Sequence, residues 1–325
     1  MQNDTRIRLS LIAPIYNERE SLPHLVQRVE EAMASLNEPW EFICVDDGSR
    51  DGSPHILAEL AQTRPWLRPL FLRRNYGQST AMQAGFDAAR GEVLATLDGD
   101  LQNDPADIPR LLKMLDEKPE IDIISGWRRH RQDKTMSRKI PSKIANALIS
   151  WVTGVKLHDY GCSLKLYRSE AVRYVKIYGE LHRFIPALAH EFGAKVMEAE
   201  VTHHARTLGK SKYGIDRTVR VFLDLLWVKF LLRFQHRPMH AFGGIGMAML
   251  VPATLILGWL AIDKLVLGEN IGGRPLLMLG VMLALMGTQF IGMGILGEML
   301  TRIWHEPAGK SQYLLREDLP RPPQA

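Results

Sequence analysis

The chain has 325 residues, 46% of them hydrophobic, and a net charge of +5, which suits a soluble domain of ordinary size with a further segment attached. Its two cysteines, Cys44 and Cys162, lack metal-ligand spacing; they exclude a disulfide scaffold and read as reduced, buried thiols. The charge is local, because Arg128 to Lys143 carries seven basic residues against Asp133 alone. No nucleic-acid motif accompanies that patch, so it points to anionic lipid or a phosphorylated substrate instead.

In chain order, Ile7 to Ala13 reads as a strand, followed by Pro14-Ile15-Tyr16-Asn17-Glu18. Leu22, Leu25, Val26, Val29, Met33 and Leu36 then recur at helical spacing. Glu41 to Val45 is a second strand ending in Asp46-Asp47-Gly48-Ser49, and a helix follows from about Pro54. A strand near Leu70 to Leu72, the loop Arg73 to Gly77 and a helix over Ser79 to Ala89 come next. Val93 to Leu97 is a strand that stops at Asp98-Gly99-Asp100. Residues i and i+2 of a strand share a side, so the two carboxylates can aim at one point, with Gly99 easing the turn. The plain alternative is a polar turn before a helix near Pro105, with Asp104 as its N-cap.

Strands alternating with helices predict an α/β domain with a mostly parallel, Rossmann-like sheet. In such sheets ligands bind beyond the carboxyl ends of the strands. Three polar motifs fall at such ends, Tyr16–Glu18, Asp46–Ser49 and Asp98–Asp100. Further on come a strand over Ile121 to Gly126, the segment His158-Asp159-Tyr160-Gly161-Cys162, and a glycine-containing basic loop from Arg206 to Tyr213. His203-His204 makes a poor zinc pair, since neighbours on a strand face opposite sides.

Ala241 to Ile262 and Pro275 to Gly297 carry no charge over 22 and 23 residues, and about 20 suffice to span a hydrocarbon core. Two transmembrane helices are expected, with Gly292 to Gly297 serving helix packing rather than dinucleotide binding despite its Gly-x-Gly-x-x-Gly form. Arg233 and Arg237 precede the pair, and Arg302, Lys310 and Arg316 follow it. The positive-inside rule then places both termini and the large domain in the cytoplasm. Val219 to Phe234 is apolar with interspersed charge and suits an amphipathic interfacial helix. The expected layout is a catalytic domain over 1–214, a juxtamembrane region over 215–238, two spans within 239–298 and a tail over 299–325.

These residues resemble the family 2 glycosyltransferases of the polyprenyl-phosphate type, nearest among them to the undecaprenyl-phosphate 4-deoxy-4-formamido-L-arabinose transferases. The stretches that carry the likeness are Arg74-Asn75-Tyr76-Gly77-Gln78, Asp100-Leu101-Gln102-Asn103, Asp159-Tyr160-Gly161-Cys162, Gly209 with Ser211-Lys212-Tyr213, and Phe290-Ile291-Gly292-Met293-Gly294. The resemblance implies a GT-A fold, a nucleotide-diphosphate sugar donor, usually a UDP-sugar, and Mg²⁺ or Mn²⁺. It implies nucleotide contacts at Pro14, Tyr16, Glu18, Val45 and Asp47, a metal at Asp98, Asp100 and Gln102, and diphosphate contacts at Arg128, Arg206 and Lys212. Gly99 stands where the family usually has alanine, a departure that removes no ligand.

A polyprenyl phosphate is the implied acceptor, at a bacterial inner membrane, with the sugar attached by inversion. Its phosphate has a second pKa near ~6, so it needs little help from a strong base; Asp159 is expected either as that base or as an acceptor-positioning residue. Arg128, Arg131 and Arg138 are expected to attract the acceptor phosphate. A processive polysaccharide synthase would carry Gln-x-x-Arg-Trp, which is missing; a catalytically silent scaffold would have no use for the carboxylate pair. The glycine-rich spans and the family likeness are compatible with a homo-oligomer, and no nucleic-acid partner is expected.

Overall fold

The computed structural model describes residues 6–129, 149–150, 153–173, 175–177, 179, 181–204 and 238–305. The amphipathic juxtamembrane region, the basic residues beyond Arg129, the loop with Arg206 and Lys212, and the tail beyond His305 lie outside them. The chain divides into two units, Met1–Leu226 and Trp227–Ala325.

In the first unit, the short apolar runs become strands β1 (Leu9–Ile15), β2 (Trp40–Asp46), β3 (Leu67–Phe71), β4 (Val93–Thr96) and β5 (Ile123–Trp127). Two more, β6 (Lys165–Arg168) and β7 (Val196–Glu200), complete a seven-stranded sheet in the order β3-β2-β1-β4-β6-β5-β7. All neighbours pair in parallel except β6, which runs against both β4 and β5. β1 and β2 are apolar almost throughout and almost fully buried, as expected of strands covered on both faces.

Helix α1 (Leu22–Met33) buries Leu22, Leu25, Val26, Val29 and Met33, five large side chains worth about 1.5–3 kcal/mol each on burial. The others here are α2 (Ser53–Gln62), α3 (Gln78–Ala88), α4 (Asp107–Asp116), α5 (Ser169–Val172) and α6 (Ile185–Glu191). Helix α4 begins two residues later than the sequence predicts. Its N-cap is Ala106, without a side-chain cap bond. Asp104 instead accepts from Ala106 N–H at 3.0 Å and pairs with His204 Nε2 at 2.8 Å.

The reversal of β6 matters for function. Its first residue, Lys165, pairs with Thr96, the last of β4. A strand that starts where a parallel strand ends delivers its preceding loop to the same edge. Residues 159–164 therefore arrive beside Asp98.

The second unit contains α7 (Pro238–Leu265) and α8 (Pro275–His305). At 1.5 Å per residue, their 28 and 31 residues exceed the hydrocarbon thickness of about 30 Å. The tight crossing lies at Gly246 and Gly287, where a Cβ would meet the other glycine's carbonyl at 2.8 and 2.9 Å. Within the Gly-x-Gly-x-x-Gly pattern, Gly294 packs on α7, where a Cβ would stand 2.8 Å from Met239 Sδ and 3.4 Å from Phe242 Cβ, while Gly292 faces open space. Arg274 joins the two helix ends, with Asp263 Oδ2 at 2.6 Å and Glu269 also paired.

Candidate active site

The loops leaving β1 and β2 are tied to each other. Asn17 has φ 53°, a left-handed conformation that asparagine tolerates better than most residues. Its N–H donates to Ser49 Oγ at 2.9 Å, and its Oδ1 accepts from Arg50 N–H at 2.8 Å. Glu18 N–H donates to Ser53 Oγ at 3.1 Å, and Glu18 Oε2 accepts from Ser21 Oγ at 2.9 Å.

Asp47, just past β2, is 3% exposed. Its Oδ1 accepts from Tyr76 N–H at 2.7 Å and its Oδ2 from Gly77 N–H at 2.9 Å. Burial and the adjacent Asp46 push its carboxyl up further than those two amides pull it down. Asp47 thus latches the loop before α3. Val45 is fully buried within β2 and is not among the residues that wall the cleft described below.

β4 ends at Thr96, and Asp98 and Asp100 lie in the turn beyond it. Strand alternation is therefore not what brings them together. The left-handed residue of that turn is Leu101, φ 61°, rather than Gly99. A Cβ on Gly99 would stand 2.7 Å from Ile15 Cδ1 and 3.5 Å from Pro14 O, so the glycine lets the turn lie against the end of β1. Asp98 Oδ1 accepts from Gln78 Nε2 at 2.9 Å, and Asp100 Oδ1 accepts from Gln102 N–H at 3.2 Å.

These parts form a cleft of ≈ 180 Å³ walled by Pro14, Ile15, Tyr16, Glu18, Asp47, Asn75, Gly77, Gln78, Asp98, Gly99 and Asp100. Among the described residues, four carboxylates and no basic side chain face it. A diphosphate alone would be repelled, whereas carboxylate and phosphate oxygens together are the donor set that a hard divalent cation takes. Among the described residues no three His, Cys, Asp or Glu side chains converge as a closed metal cage. Asp98 and Asp100 fit a cation whose remaining ligands come from the bound molecule and water. Gln102 touches this arrangement through its backbone and is absent from the cleft wall.

A second, smaller cleft shares Gln78 and Asp98 with the first and continues past Thr96 to Tyr160–Ser163, Lys165, His182 and Arg183. Its charge is the reverse, with Asp98 the one acid among its described lining residues. Lys165 is 3% exposed, and its ammonium donates to Tyr160 O at 3.3 Å and to Cys162 O. Burial holds its pKa below the ordinary lysine value. Cys162 at the same cleft is also buried, which pushes its thiol up to about 11 and keeps it protonated.

Arg128 and Asp159 meet beside this loop in a two-pronged pair, Nε to Oδ2 at 2.7 Å and Nη2 to Oδ1 at 3.0 Å. Burial would lower the Arg128 pKa, but the hydrogen bonds and charge of Asp159 outweigh it and hold the guanidinium above its ordinary value. Both Asp159 oxygens are engaged by one cation, so accepting a proton there requires the pair to open. Neither residue lines the two clefts. Arg131, Arg138, Arg206 and Lys212 lie outside the described residues.

Pro14, Tyr16, Glu18, Asp47, Asp98, Gly99 and Asp100 thus share one cleft, as the sequence predicts. The sequence reading assigns no role to Asn75, Gln78, Lys165, His182 or Arg183. A signal existed for Lys165, a lone charge in the run Leu164-Lys165-Leu166-Tyr167. None existed for His182 and Arg183, which reach the site only through the fold.

A mixed, mostly parallel sheet with an acidic cleft at its strand ends fits the GT-A class of glycosyltransferases. The profile described as glycosyl transferase family 2 matches residues 10–175, and the chain belongs to that family. A dodecaprenyl-phosphate galacturonate synthase of Rhizobium johnstonii is 49% identical over 96% of this chain and 93% of its own length. An undecaprenyl-phosphate 4-deoxy-4-formamido-L-arabinose transferase of Yersinia enterocolitica is 35% identical over 95% of this chain and 93% of its own.

Among solved structures, a Pyrobaculum calidifontis mannosyltransferase in complex with GDP-Man and Mn²⁺ aligns with a TM-score of 0.50, at 18% identity, over 93% of this chain and 89% of its own. A glucosyl-3-phosphoglycerate synthase of Mycobacterium tuberculosis aligns with a TM-score of 0.52, at 14% identity, over 69% of this chain and 78% of its own. At those identities the likeness concerns the fold.

Proposed function

We propose that this glycosyltransferase moves a sugar from a nucleotide-diphosphate donor, UDP-linked, to a polyprenyl phosphate at the cytoplasmic face of a bacterial inner membrane. The observation that carries the reading is the first cleft, where four carboxylates gather at the ends of β1, β2 and β4 with no basic side chain beside them among the described residues. Such a wall suits a diphosphate only together with a divalent cation. The names of the two relatives support the acceptor and span two sugars, a galacturonate and a formamido-arabinose.

In this reading Tyr16, Glu18 and the loop latched by Asp47 hold the nucleoside side, and Asp98 and Asp100 hold Mg²⁺ or Mn²⁺. When bound, the cation offsets charge on the departing nucleoside diphosphate. An acceptor phosphate oxygen attacks the anomeric carbon as the bond to the diphosphate breaks, which inverts that carbon. Since the phosphate monoester is largely ionised at neutral pH, with a second pKa near ~6, Asp159 orients rather than deprotonates, acting through Arg128. Arg206 and Lys212 are assigned to the diphosphate, and Arg131 and Arg138 to the acceptor phosphate. The lengths of α7 and α8 and their flanking positive charge support a two-span anchor with both termini in the cytoplasm, and Val219–Phe234 suits the interface beside it.

The test is to incubate membranes carrying the chain with undecaprenyl phosphate and a panel of UDP-sugars, and to read product mass. A lipid-phosphate sugar is expected with one donor, abolished by EDTA and restored by Mn²⁺ or Mg²⁺. Asp100→Asn should lower transfer by roughly 100-fold, the order that a few kcal/mol of lost charge stabilisation implies, with membrane insertion preserved. Undiminished transfer in that variant would sink the metal assignment, and failure with every donor would sink the acceptor.

A further inference from the structure

Glu198 stands on β7, the last strand of the sheet, in register with Ser125 of β5. Its side chain is only 14% exposed. A carboxylate taken that far from water is costly unless N–H donors replace its hydration. Three N–H groups do so. Oε1 accepts from the backbone N–H of His158 at 2.7 Å and from that of Asp159 at 3.3 Å, and Oε2 lies 2.7 Å from His158 Nδ1. An ionised carboxylate only accepts, so Nδ1 carries the proton and donates it. A valine or threonine would suit the strand and spare the desolvation, so the sheet alone does not call for a carboxylate here.

What these bonds hold is the start of the loop that carries Asp159. The His158 ring, fixed through Nδ1, stacks on Trp127 with centroids 4.5 Å apart and planes 22° from parallel. One residue further along each segment, Arg128 and Asp159 make their two-pronged pair, and Arg128 N–H reaches Asp159 Oδ2 at 3.4 Å. An aromatic rung and an ionic rung thus join the end of β5 to the loop. Glu198 sets where the loop stands from the strand on the other side of β5. A fork of two parallel N–H···O bonds needs the guanidinium and carboxylate planes aligned, so a shift of these two peptide units would open one prong.

We propose that Glu198 is a positioning residue for the lipid-phosphate acceptor, fixing the His158 and Asp159 peptide units and through them the direction in which Arg128 is held. The inference rests on the reading of Asp159 as an acceptor-orienting residue. Glu198 lines neither cleft and acts only through the loop.

Transfer to undecaprenyl phosphate is measured on the detergent-solubilised full chain with the UDP-sugar that the parent uses, and UDP affinity by calorimetry with Mn²⁺ present. Glu198→Ala removes all the carboxylate contacts. Its kcat/KM for lipid phosphate should fall by roughly tenfold or more, the range that hydrogen bonds to a charged group support. Its KM for the UDP-sugar and its affinity for UDP should stay within about twofold of the parent. Glu198→Gln keeps an oxygen for the two amides, and the other tautomer of His158 can accept from the new NH₂, so transfer should recover to within about threefold. Glu198→Asp, one methylene short of the amides, should lose transfer as the alanine variant does while disturbing the strand less.

Transfer that both Glu198→Ala and Glu198→Asp leave within about twofold overturns the positioning role. UDP affinity lost in step with transfer in both variants makes Glu198 a structural residue and overturns it equally, as does a glutamine variant that recovers nothing. A parent chain that binds UDP but transfers to no lipid phosphate overturns the acceptor reading, and this inference with it.

Discussion

Breaking the Arg128–Asp159 pair should cost more than removing it. The guanidinium touches both carboxylate oxygens, at 2.7 and 3.0 Å, and each side chain is 9% exposed. Asp159→Asn leaves a desolvated guanidinium facing a neutral amide, and removing one partner of such a pair costs about 3–5 kcal/mol. Arg128→Met strands the carboxylate in the same way. Arg128→Met with Asp159→Leu removes both charges, and a pair replaced by apolar groups of similar size is often near neutral. The double variant should therefore lie within about 2 kcal/mol of the parent, giving a coupling energy of several kcal/mol in the cycle. Urea unfolding of the solubilised chain, followed by tryptophan fluorescence, measures it. Trp127 is a local reporter, since it stacks on His158 at 4.5 Å. Turnover should not return with stability in the double variant, because the positioning contact is gone. Single variants within about 0.5 kcal/mol of the parent, or strict additivity in the double, would refute the pair as a desolvated unit.

Asp47→Asn keeps one acceptor but turns an NH₂ towards a backbone N–H, so the loop before α3 should loosen. Donor KM should rise by roughly tenfold, the equivalent of one lost charge-assisted bond, with kcat less affected; steady-state kinetics with varied donor checks this. Gly99→Ala should be tolerated, since Cβ meets only the tip of Ile15 at 2.7 Å. A stability loss under about 1.5 kcal/mol and retained transfer are expected, whereas inactivity would mean that the turn itself needs glycine. Glu41 is 1% exposed; burial would raise its carboxyl, but hydrogen bonds from Ser10, Arg90 and Arg68 outweigh it and hold it below the ordinary 4.5. Its stabilisation is thus fully present above pH 4.5 and lost as pH falls through the lower folded value. Urea midpoints taken from pH 6 downward should show this loss in the parent, and Glu41→Gln should flatten it.

Five strands, the helices between them and the two spanning helices were legible because each is a local pattern, either an apolar run or a 3.6-residue period. β6 and β7 were not. Lys165–Arg168 is a four-residue strand with charge at both ends, and Val196–Glu200 alternates with two glutamates; both depend on a sheet already present. The carboxylate cleft was legible because its members close three strand ends, a place that α/β topology reserves for ligands. Strand alternation does not account for the Asp98–Asp100 convergence. The strand stops at Thr96, and the chain turns at Leu101 in a conformation costly for leucine. Sequence assigns left-handed turns to glycine by default, and here partial burial of Leu101 against the core overrides that preference.

The second cleft lay beyond reach for a topological reason. Lys165 enters it because β6 runs backwards, so that the first residue of the strand stands beside the last of β4. In a wholly parallel sheet the loop before that strand would emerge at the opposite edge, some four residues or about 13 Å away at 3.3 Å per residue. His182 and Arg183 enter it because Ser79, on the helix after the latched loop, catches the His182 ring. One reversed strand and one serine–histidine contact therefore place positive charge on the far side of Asp98, directly against the acidic wall on its near side.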